Sequence, residues 1–160
     1  MKRIQRSALL PFAARQMYDL VNDVENYPEF LPWCENAEIL VRDEFEMVAR
    51  LDVRRGGIEE QFTTRNALSE PDRIQMQLVE GPFAQLVGNW SFRSLGAASP
   101  ADQGDEIPAQ PVTGCKVELA VQYELSRALV GRFMGNFFGR GISHLMDAFC
   151  RRAESLYLEP

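Results

Sequence analysis

The sequence ends in one long segment with a single helical apolar stripe, and this segment limits the folds that the chain can adopt. From about Arg127 to Leu158 the stripe repeats at the 3.6-residue period of an α-helix, through Gly131, Met134, Phe138, Ile142, Leu145, Phe149, Ala153 and Leu156. A helix of roughly 30 residues is about 45 Å long. A stripe of that length needs a broad apolar surface to cover it, which a sheet provides.

The middle of the chain carries the period-two alternation that is typical of antiparallel strands covered on one face. In the clearest run, polar residues alternate with Val117, Leu119, Val121, Tyr123 and Leu125. Similar runs, separated by turns that contain glycine or proline, predict further strands at 4–10, 39–41, 49–53, 58–68, 74–78 and 86–92. We therefore predict an α+β fold, in which a curved antiparallel sheet of six to seven strands surrounds the long C-terminal helix.

Two short helices are predicted after the first strand. Pro11 suits the first turn of a helix, where its missing N–H costs nothing. A second helix is predicted to begin at Asn26 or Tyr27, with Pro28 at its first position, and to end at Pro32.

Length and composition predict one domain, 1–160, in a cytoplasmic protein. The 160 residues suit a single domain, and no apolar run approaches the ~20 residues of a membrane-spanning helix. The N-terminus does not resemble a secretory signal, so any membrane contact should be peripheral, at the inner face. Residues 97–111 carry no apolar period and predict a flexible surface loop.

The residue types that carry most enzyme chemistry are scarce. His144 is the sole histidine and lies on the polar side of the helix pattern, while Cys34, Cys115 and Cys150 are far apart and predict free thiols. No metal-ligand spacing, phosphate-binding loop or catalytic triad is present. We predict no catalytic residue, no metal, no cofactor and no enzyme activity, and the net charge of -6 argues against DNA as a partner.

Glycines thin the inward side of the predicted long helix. Gly131, Gly135 and Gly139 are spaced by four residues, and Gly141 follows. Each costs about 0.8–1 kcal/mol relative to alanine inside a helix. Two explanations stay open, which are a close approach of the helix backbone to the sheet and room for a bound molecule.

Aromatic residues concentrate at positions that should face the same interior. Core packing explains each of them alone, but together with the missing volume they indicate a cavity for a flat or chain-like apolar ligand. Glu60, Thr64 and Asn66 share the inward parity of Phe62 and could meet the polar end of a ligand or bond to each other. The predicted ligand-binding residues are Tyr27, Phe30, Trp33, Phe62, Thr64, Asn66, Leu78, Phe83, Trp90, Phe92, Tyr123, Met134, Phe138 and Ile142.

The opposite side of the long helix predicts a contact surface. Phe133 and Phe137 fall there, near Arg132 and Arg140, and residues 126–153 hold five arginines but a single acid. Exposed aromatic rings beside arginines suit a membrane headgroup layer, an RNA or a protein. A loop that covers the two phenylalanines is the other explanation.

One segment has a specific resemblance to a known family. The run Tyr27-Pro28-Glu29-Phe30-Leu31-Pro32-Trp33-Cys34 resembles the START-like family that contains the coenzyme Q-binding proteins and the bacterial ribosome-association toxins. Further similarities lie at 62–66, 81–83, 88–92 and 148–153. They extend the resemblance over nearly the whole chain, from Ile4 to Tyr157.

The resemblance implies a fold and three alternative functions. The fold is the helix-grip fold (START/Bet v 1-like), a seven-stranded sheet that grips the C-terminal helix. The first function is binding of ubiquinone or a related isoprenoid lipid, in respiratory electron transport or quinone delivery. The second is binding of the large ribosomal subunit, which blocks subunit association. The third is polyketide cyclase-like activity, for which Glu60 and Tyr123 are the inward candidates for an acid or base.

Overall fold

The computed structural model describes residues 2–55, 57–95, 114–126 and 134–158. Two α-helices lie in this part of the chain, α1 (Ala14–Asn22) and α2 (Met134–Tyr157), with a 3-10 helix at Val24–Glu29. The strands are β1 (Lys2–Leu10), β2 (Cys34–Arg42), β3 (Glu46–Arg55), β4 (Ile58–Ser69), β5 (Arg73–Glu80), β6 (Phe83–Leu95) and β7 (Gly114–Leu125).

The seven strands form one antiparallel sheet in the order β1-β7-β6-β5-β4-β3-β2. The alternation seen in the sequence becomes two faces of this sheet. In β7, for example, Val117, Leu119 and Val121 are buried in the core, while Glu118 points outward and is exposed. The prediction of an antiparallel sheet of six to seven strands beside a long C-terminal helix is confirmed.

The two short helices exist, but their predicted limits were wrong. Helix α1 begins at Ala14, beyond Pro11, because the Gln16 side chain accepts a hydrogen bond from the Ala13 N–H at 2.9 Å and defines the first turn. The second helix is a 3-10 helix that begins at Val24 and carries Pro28 inside it. It ends at Glu29, before Pro32.

Helix α2 packs onto the core through its second half. Met146, Phe149 and Ala153 are buried, whereas Leu156 is 47 % exposed, contrary to its predicted place on the stripe. The last turn is held instead by Tyr157, whose ring packs against Phe12 with centroids 5.6 Å apart. None of the described helices is both long enough and apolar enough to cross a bilayer. The predicted helical residues 127–133 and the predicted loop 97–111 lie outside the described residues.

Phe149 joins helix α2 to two other parts of the fold. Its ring centroid lies 5.4 Å from Tyr27 and 5.2 Å from Phe30, around the 3-10 helix, and 5.3 Å from Trp90 on β6. Arg152, one turn later, forms an ion pair with Glu29 at 2.8 Å and lies over the Phe30 ring. The aromatic junction, defined as Phe149 with Tyr27, Phe30 and Trp90, therefore ties the helix to the sheet.

We expect Phe149→Ala to lower the free energy of unfolding by about 3–5 kcal/mol, because the side chain is 1 % exposed and its removal leaves a void among three rings. Urea denaturation followed by circular dichroism measures the change. Leu156→Ala in the same helix is the control and should change stability by no more than about 0.5 kcal/mol. Equal effects of the two substitutions would contradict the assignment of Phe149 as the junction.

Candidate functional site

A cavity of about 130 Å³ lies between the inner face of the sheet and helix α2. It is bounded by five strands, by the segment around the 3-10 helix and by the middle of α2. The wall is almost wholly aliphatic and aromatic, so it favours an apolar occupant. The lining residues are Val24, Tyr27, Trp33, Ala49, Leu51, Val53, Phe62, Thr64, Asn66, Met76, Phe83, Leu86, Trp90, Val121, Gly141, Ile142, Leu145 and Phe149.

Thr64 and Asn66 form the polar part of this wall. Both side chains are buried on the inner face of β4, and the Thr64 hydroxyl donates a hydrogen bond to Oδ1 of Asn66 at 3.0 Å. This bond leaves the Asn66 Nδ2 donors without an acceptor among the described residues. The cavity therefore presents N–H donors to the polar atom of an occupant.

Tyr27 is the titratable residue among the described side chains of the wall. Its hydroxyl donates a hydrogen bond to the backbone carbonyl of Val21, at the end of α1. Burial raises the pKa of the Tyr27 hydroxyl, which keeps the group protonated. The described wall thus carries no charge near neutral pH.

The sequence offered two explanations for the glycines of helix α2, a close approach of the helix to the sheet and room for a ligand, and each explanation applies to one described glycine. A side chain on Gly139 would place its Cβ 3.1 Å from the Tyr123 hydroxyl, so this glycine permits a close approach of helix and sheet. A Cβ on Gly141 would meet nothing within 4 Å, and Gly141 lines the cavity. The unfilled volume is therefore at Gly141. Gly131 lies outside the described residues, and so do the surroundings of Gly135.

The structure brings eight of the predicted ligand-binding residues together on the cavity wall. They are Tyr27, Trp33, Phe62, Thr64, Asn66, Phe83, Trp90 and Ile142. That any of them contacts a ligand stays a prediction. The side chains of Met134 and Phe138 lie outside the described part of the helix.

Four further predicted residues lie behind the wall. Phe30 packs on Phe149 in the aromatic junction, and Phe92 stacks on Trp90 at 6.2 Å with its planes almost parallel. Tyr123 meets the Phe83 ring edge-on at 6.0 Å, and Leu78 is partly buried against the core. These four side chains support wall residues rather than forming the described wall.

Sequence reasoning missed the aliphatic part of the wall because it searched for aromatic rings. Ala49, Leu51 and Val53 share one parity of β3, and this alternation was the available signal. Met76, Leu86 and Val121 have the same kind of signal on their own strands. Val24, Gly141, Leu145 and Phe149 complete the missed set. The apolar stripe of the long helix was the available signal for Leu145 and Phe149.

The predicted surface on the long helix is described only in part. Arg140 is exposed, whereas Arg132 and Phe133 lie outside the described residues, and so does the side chain of Phe137. His144 is exposed, as its position in the helix pattern indicated. Glu60 is partly buried and does not belong to the described cavity wall.

The three cysteines are free, as predicted, and two of them are buried. Burial raises the pKa of Cys34 and of Cys115 to about 11 each, and Asp52 adds to the shift at Cys34. The thiol of Cys34 also contacts the Asn36 carbonyl at 3.5 Å. Protonated thiols of this kind are poor nucleophiles. Within the described ranges, no three histidine, cysteine, aspartate or glutamate side chains are placed to hold a metal ion.

Comparison with protein families gives a match over most of the chain. Residues 10–150 match the family described as polyketide cyclase / dehydrase and lipid transport. A solved START superfamily protein from Mycobacterium smegmatis superposes with a TM-score of 0.73 at 21 % identity, covering 96 % of this chain and 98 % of that chain. The fold is therefore the helix-grip fold that the resemblance implied.

Two curated relatives carry different descriptions. Ribosome association toxin RatA of Pseudomonas aeruginosa is 42 % identical over 154 residues, which is 96 % of either chain. Coenzyme Q-binding protein COQ10, mitochondrial, of Dictyostelium discoideum is 29 % identical over 151 residues, which is 92 % of this chain and 67 % of that protein. Both matches cover the strands and the helix that form the cavity.

The buried thiols predict a loss of stability at alkaline pH. Unfolded thiols titrate near ~8.5, so between about pH 8.5 and pH 11 the unfolded chain releases protons that the folded chain retains, and stability falls as the pH rises. We expect Cys115→Ala to reduce this fall by about 2 kcal/mol between pH 8 and pH 10.5.

Urea denaturation at a series of pH values measures the two slopes. Groups common to both proteins cancel in the comparison, which isolates the Cys115 thiol. Parallel pH profiles of the parent protein and Cys115→Ala would show that this thiol is not held protonated in the folded state.

Proposed function

Because the chain belongs to the polyketide cyclase/dehydrase and lipid transport family, we propose that its cavity binds the ring of an isoprenoid quinone such as ubiquinone and performs no chemistry on it. The observation that carries the proposal is the apolar, uncharged cavity with the Asn66 amide donors on its wall. Quinone carbonyl oxygens accept hydrogen bonds, whereas the rest of the ring and the tail are apolar. This distribution of polarity matches the distribution on the wall.

The volume of the cavity decides how much of the ligand enters. A cavity of roughly 150 Å³ holds a benzene ring in other proteins, and the volume here is about 130 Å³. The six-membered ring of a quinone is close to the size of such a space, so the methoxy groups of ubiquinone and its isoprenoid tail must extend beyond it. We place the ring beside Thr64 and Asn66 and let the tail leave past Gly141, where a Cβ added to the glycine would meet no atom within 4 Å.

Binding without chemistry follows from the groups on the wall. A cyclase needs a group that donates or removes a proton in contact with the substrate. The described wall offers the Tyr27 hydroxyl, which is committed to Val21 and whose pKa is raised. Glu60 and Tyr123, the candidates for a cyclase, lie off the described wall. We therefore rank cyclase activity below ligand binding.

The proposed role is to hold a quinone ring away from water during respiratory electron transport or delivery between membranes and enzymes. Such a role requires peripheral contact with a membrane, since the tail of a quinone resides in the bilayer. The exposed Arg140 and the neighbouring residues of the long helix are the proposed contact.

The tryptophans give a direct test of ligand binding. The chain contains two tryptophans, Trp33 and Trp90, and both line the cavity. We expect a ubiquinone with a two-unit tail to quench their fluorescence saturably, and Asn66→Leu to weaken the quinone about tenfold because a hydrogen bond is lost. Toluene, a ring that carries no hydrogen-bond acceptor, should bind the parent and Asn66→Leu proteins equally when it competes with the quinone.

Gly141 supplies the matched pair of variants for the same titration. Gly141→Leu places a branched side chain in the cavity and should abolish quenching, whereas Gly141→Ala should bind the quinone and gain up to about 1 kcal/mol in stability. Mass spectrometry of an organic extract of the purified protein identifies the natural ligand. The proposal fails if no quinone or isoprenoid lipid is extracted and added ubiquinone leaves the fluorescence unchanged.

A second candidate function is association with the large ribosomal subunit. The observation that favours it is the 42 % identity, over nearly the full length, to a protein named ribosome association toxin RatA. We expect the protein to co-sediment with purified large subunits at low salt and to reduce their assembly with small subunits. Sucrose-gradient sedimentation measures both effects. Free migration of the protein at about 50 mM salt, with subunit assembly unchanged, would refute this function.

A further inference from the structure

The outer face of the sheet carries a groove of about 730 Å³ on the side opposite to the cavity. Strand register explains its first edge. Residues that pair in sequence from β1 through β7, β6 and β5 to β4 form one continuous row, in the order Arg3, Gln122, Val87, Gln77 and Arg65. We call these residues the arginine row, because an arginine stands at each end.

The adjacent row on the same face supplies the floor. It runs across the same five strands in the order Gln5, Ala120, Asn89, Gln75 and Ala67. The two alanines are too short to fill the space between the longer side chains, which creates the depression. The remaining lining residues, Met76 and Gly88, lie beneath the centre of the groove.

The chemistry of this groove differs from that of the whole chain. Its lining holds five amide side chains and two guanidinium groups, and none of its described residues is an aspartate or glutamate. The chain contains 23 acidic residues and has a net charge of -6. The groove is therefore a hydrogen-bonding surface with some positive charge on an acidic protein, although Glu46 beside it offsets part of the charge of Arg65.

The other half of the same outer face shows what an ordinary solvated surface looks like in this protein. On β2, β3 and β4, opposite charges pair between neighbouring strands, as in Arg50 with Glu38 at 2.5 Å and Arg54 with Glu59 at 3.2 Å. The groove has amides in the equivalent places. Amides are no better than charged pairs at forming strands, so folding alone does not explain the difference.

Some polar groups of the groove are bonded to each other or to a neighbour, and one buried oxygen has no partner. With its amide oxygen turned towards Arg3, Gln122 accepts from Nη2 at 2.7 Å and from Nε at 2.9 Å. The Asn89 side-chain oxygen is buried and has no partner among the described residues. Arg65 forms an ion pair with Glu46 at 2.8 Å, and 60 % of its side chain is exposed. A buried acceptor without a partner costs free energy.

We propose that this groove binds a single strand of RNA and that it is the surface through which the protein contacts the large ribosomal subunit. The assignment of the subunit rests on the second candidate function above, whereas the assignment of RNA rests on the groove. Amide side chains match the hydrogen-bonding edges of unstacked bases, and guanidinium groups match phosphates or stack on bases. The arginine row spans about 19 Å, four interstrand spacings, which is room for a few nucleotides.

RNA fits the groove better than a protein partner does. The core of a protein interface is rich in aromatic and other apolar side chains. The described groove contains no aromatic residue, and its apolar members are Val87, Met76 and the two alanines. Two arginines allow at most two phosphate contacts, so the salt dependence should be shallow, with a slope of about −1.4 in log affinity against log salt.

The test uses protein-free RNA extracted from large ribosomal subunits, labelled with fluorescein, and the full-length protein. We expect Gln75→Glu and Gln77→Glu each to reduce RNA affinity at least about tenfold, because a carboxylate repels phosphate and cannot donate to a base. Gln85→Glu is the matched control, since Gln85 is an exposed glutamine on the outer face of β6 that lies outside the groove lining. It should change the affinity less than about twofold. Arg65→Gln should make the salt slope shallower by about 0.7.

Two further comparisons separate the ways in which the test can fail. Arg140→Glu tests the long helix as the contact, and Gly141→Leu tests dependence on the cavity; both should bind RNA like the parent protein. If the parent protein does not sediment with intact subunits but binds RNA through the groove, the ribosomal function fails and the RNA site stands. The RNA site is overturned if protein-free RNA is not bound at about 50 mM salt. It is also overturned if Gln75→Glu and Gln77→Glu bind RNA as Gln85→Glu does. A third contrary result is binding of intact subunits through the groove that protein-free RNA does not compete away.

Discussion

The packing of Phe149 against Tyr27, Phe30 and Trp90 is the contact on which the rest of the structure depends. These rings lie between helix α2 and the sheet and set the distance between the two at one end of the interface. Gly141 lies two turns, or about 12 Å, closer to the start of the helix and has no side chain to bridge that separation. The cavity is the gap that this leaves between helix α2 and the sheet. A smaller residue in place of Phe149 would leave a void among the other three rings, and the helix would lose the contact that fixes its distance from the sheet.

The polar pair on β4 explains how a cavity of this kind is tolerated. Burial of an amide and a hydroxyl among apolar side chains is costly unless they are hydrogen-bonded. Thr64 and Asn66 satisfy each other in part, with the hydroxyl as donor and the amide oxygen as acceptor. What remains is a pair of N–H donors, so the occupant that we propose brings an acceptor and no charge. A carbonyl-bearing ring meets that requirement, whereas a fatty acid would bring a carboxylate into an uncharged cavity.

The sequence predicted those parts of the structure that depend on periodicity. Alternation in β7 located the buried face from Val117 to Tyr123, and the spacing of Ile142 and Phe149 located the side of the helix that meets it. Periodicity does not report which residues stand on either side of a void. Phe92 and Tyr123 share the inward parity of Trp90 and Val121, yet they do not line the cavity. Parity gives the face of a strand on which a residue lies, but not its position along the strand relative to the cavity. Helical spacing puts Gly139 and Gly141 on different sides of the helix, but only the distances around each glycine show which one permits a close approach and which one borders open space.

Strand β4 contributes residues to both of the proposed binding surfaces. Successive residues of a strand point to opposite faces, so Thr64 and Asn66 reach the cavity while Arg65 and Ala67 reach the groove. A shift of one residue in register would exchange the two sets, so the pairing of β4 with β3 and β5 fixes the lining of both the cavity and the groove. Within one register, however, inward and outward residues can change independently of each other. One fold can therefore accommodate relatives named for coenzyme Q binding and for ribosome association. The residues that each activity requires can lie on a separate face of the same sheet.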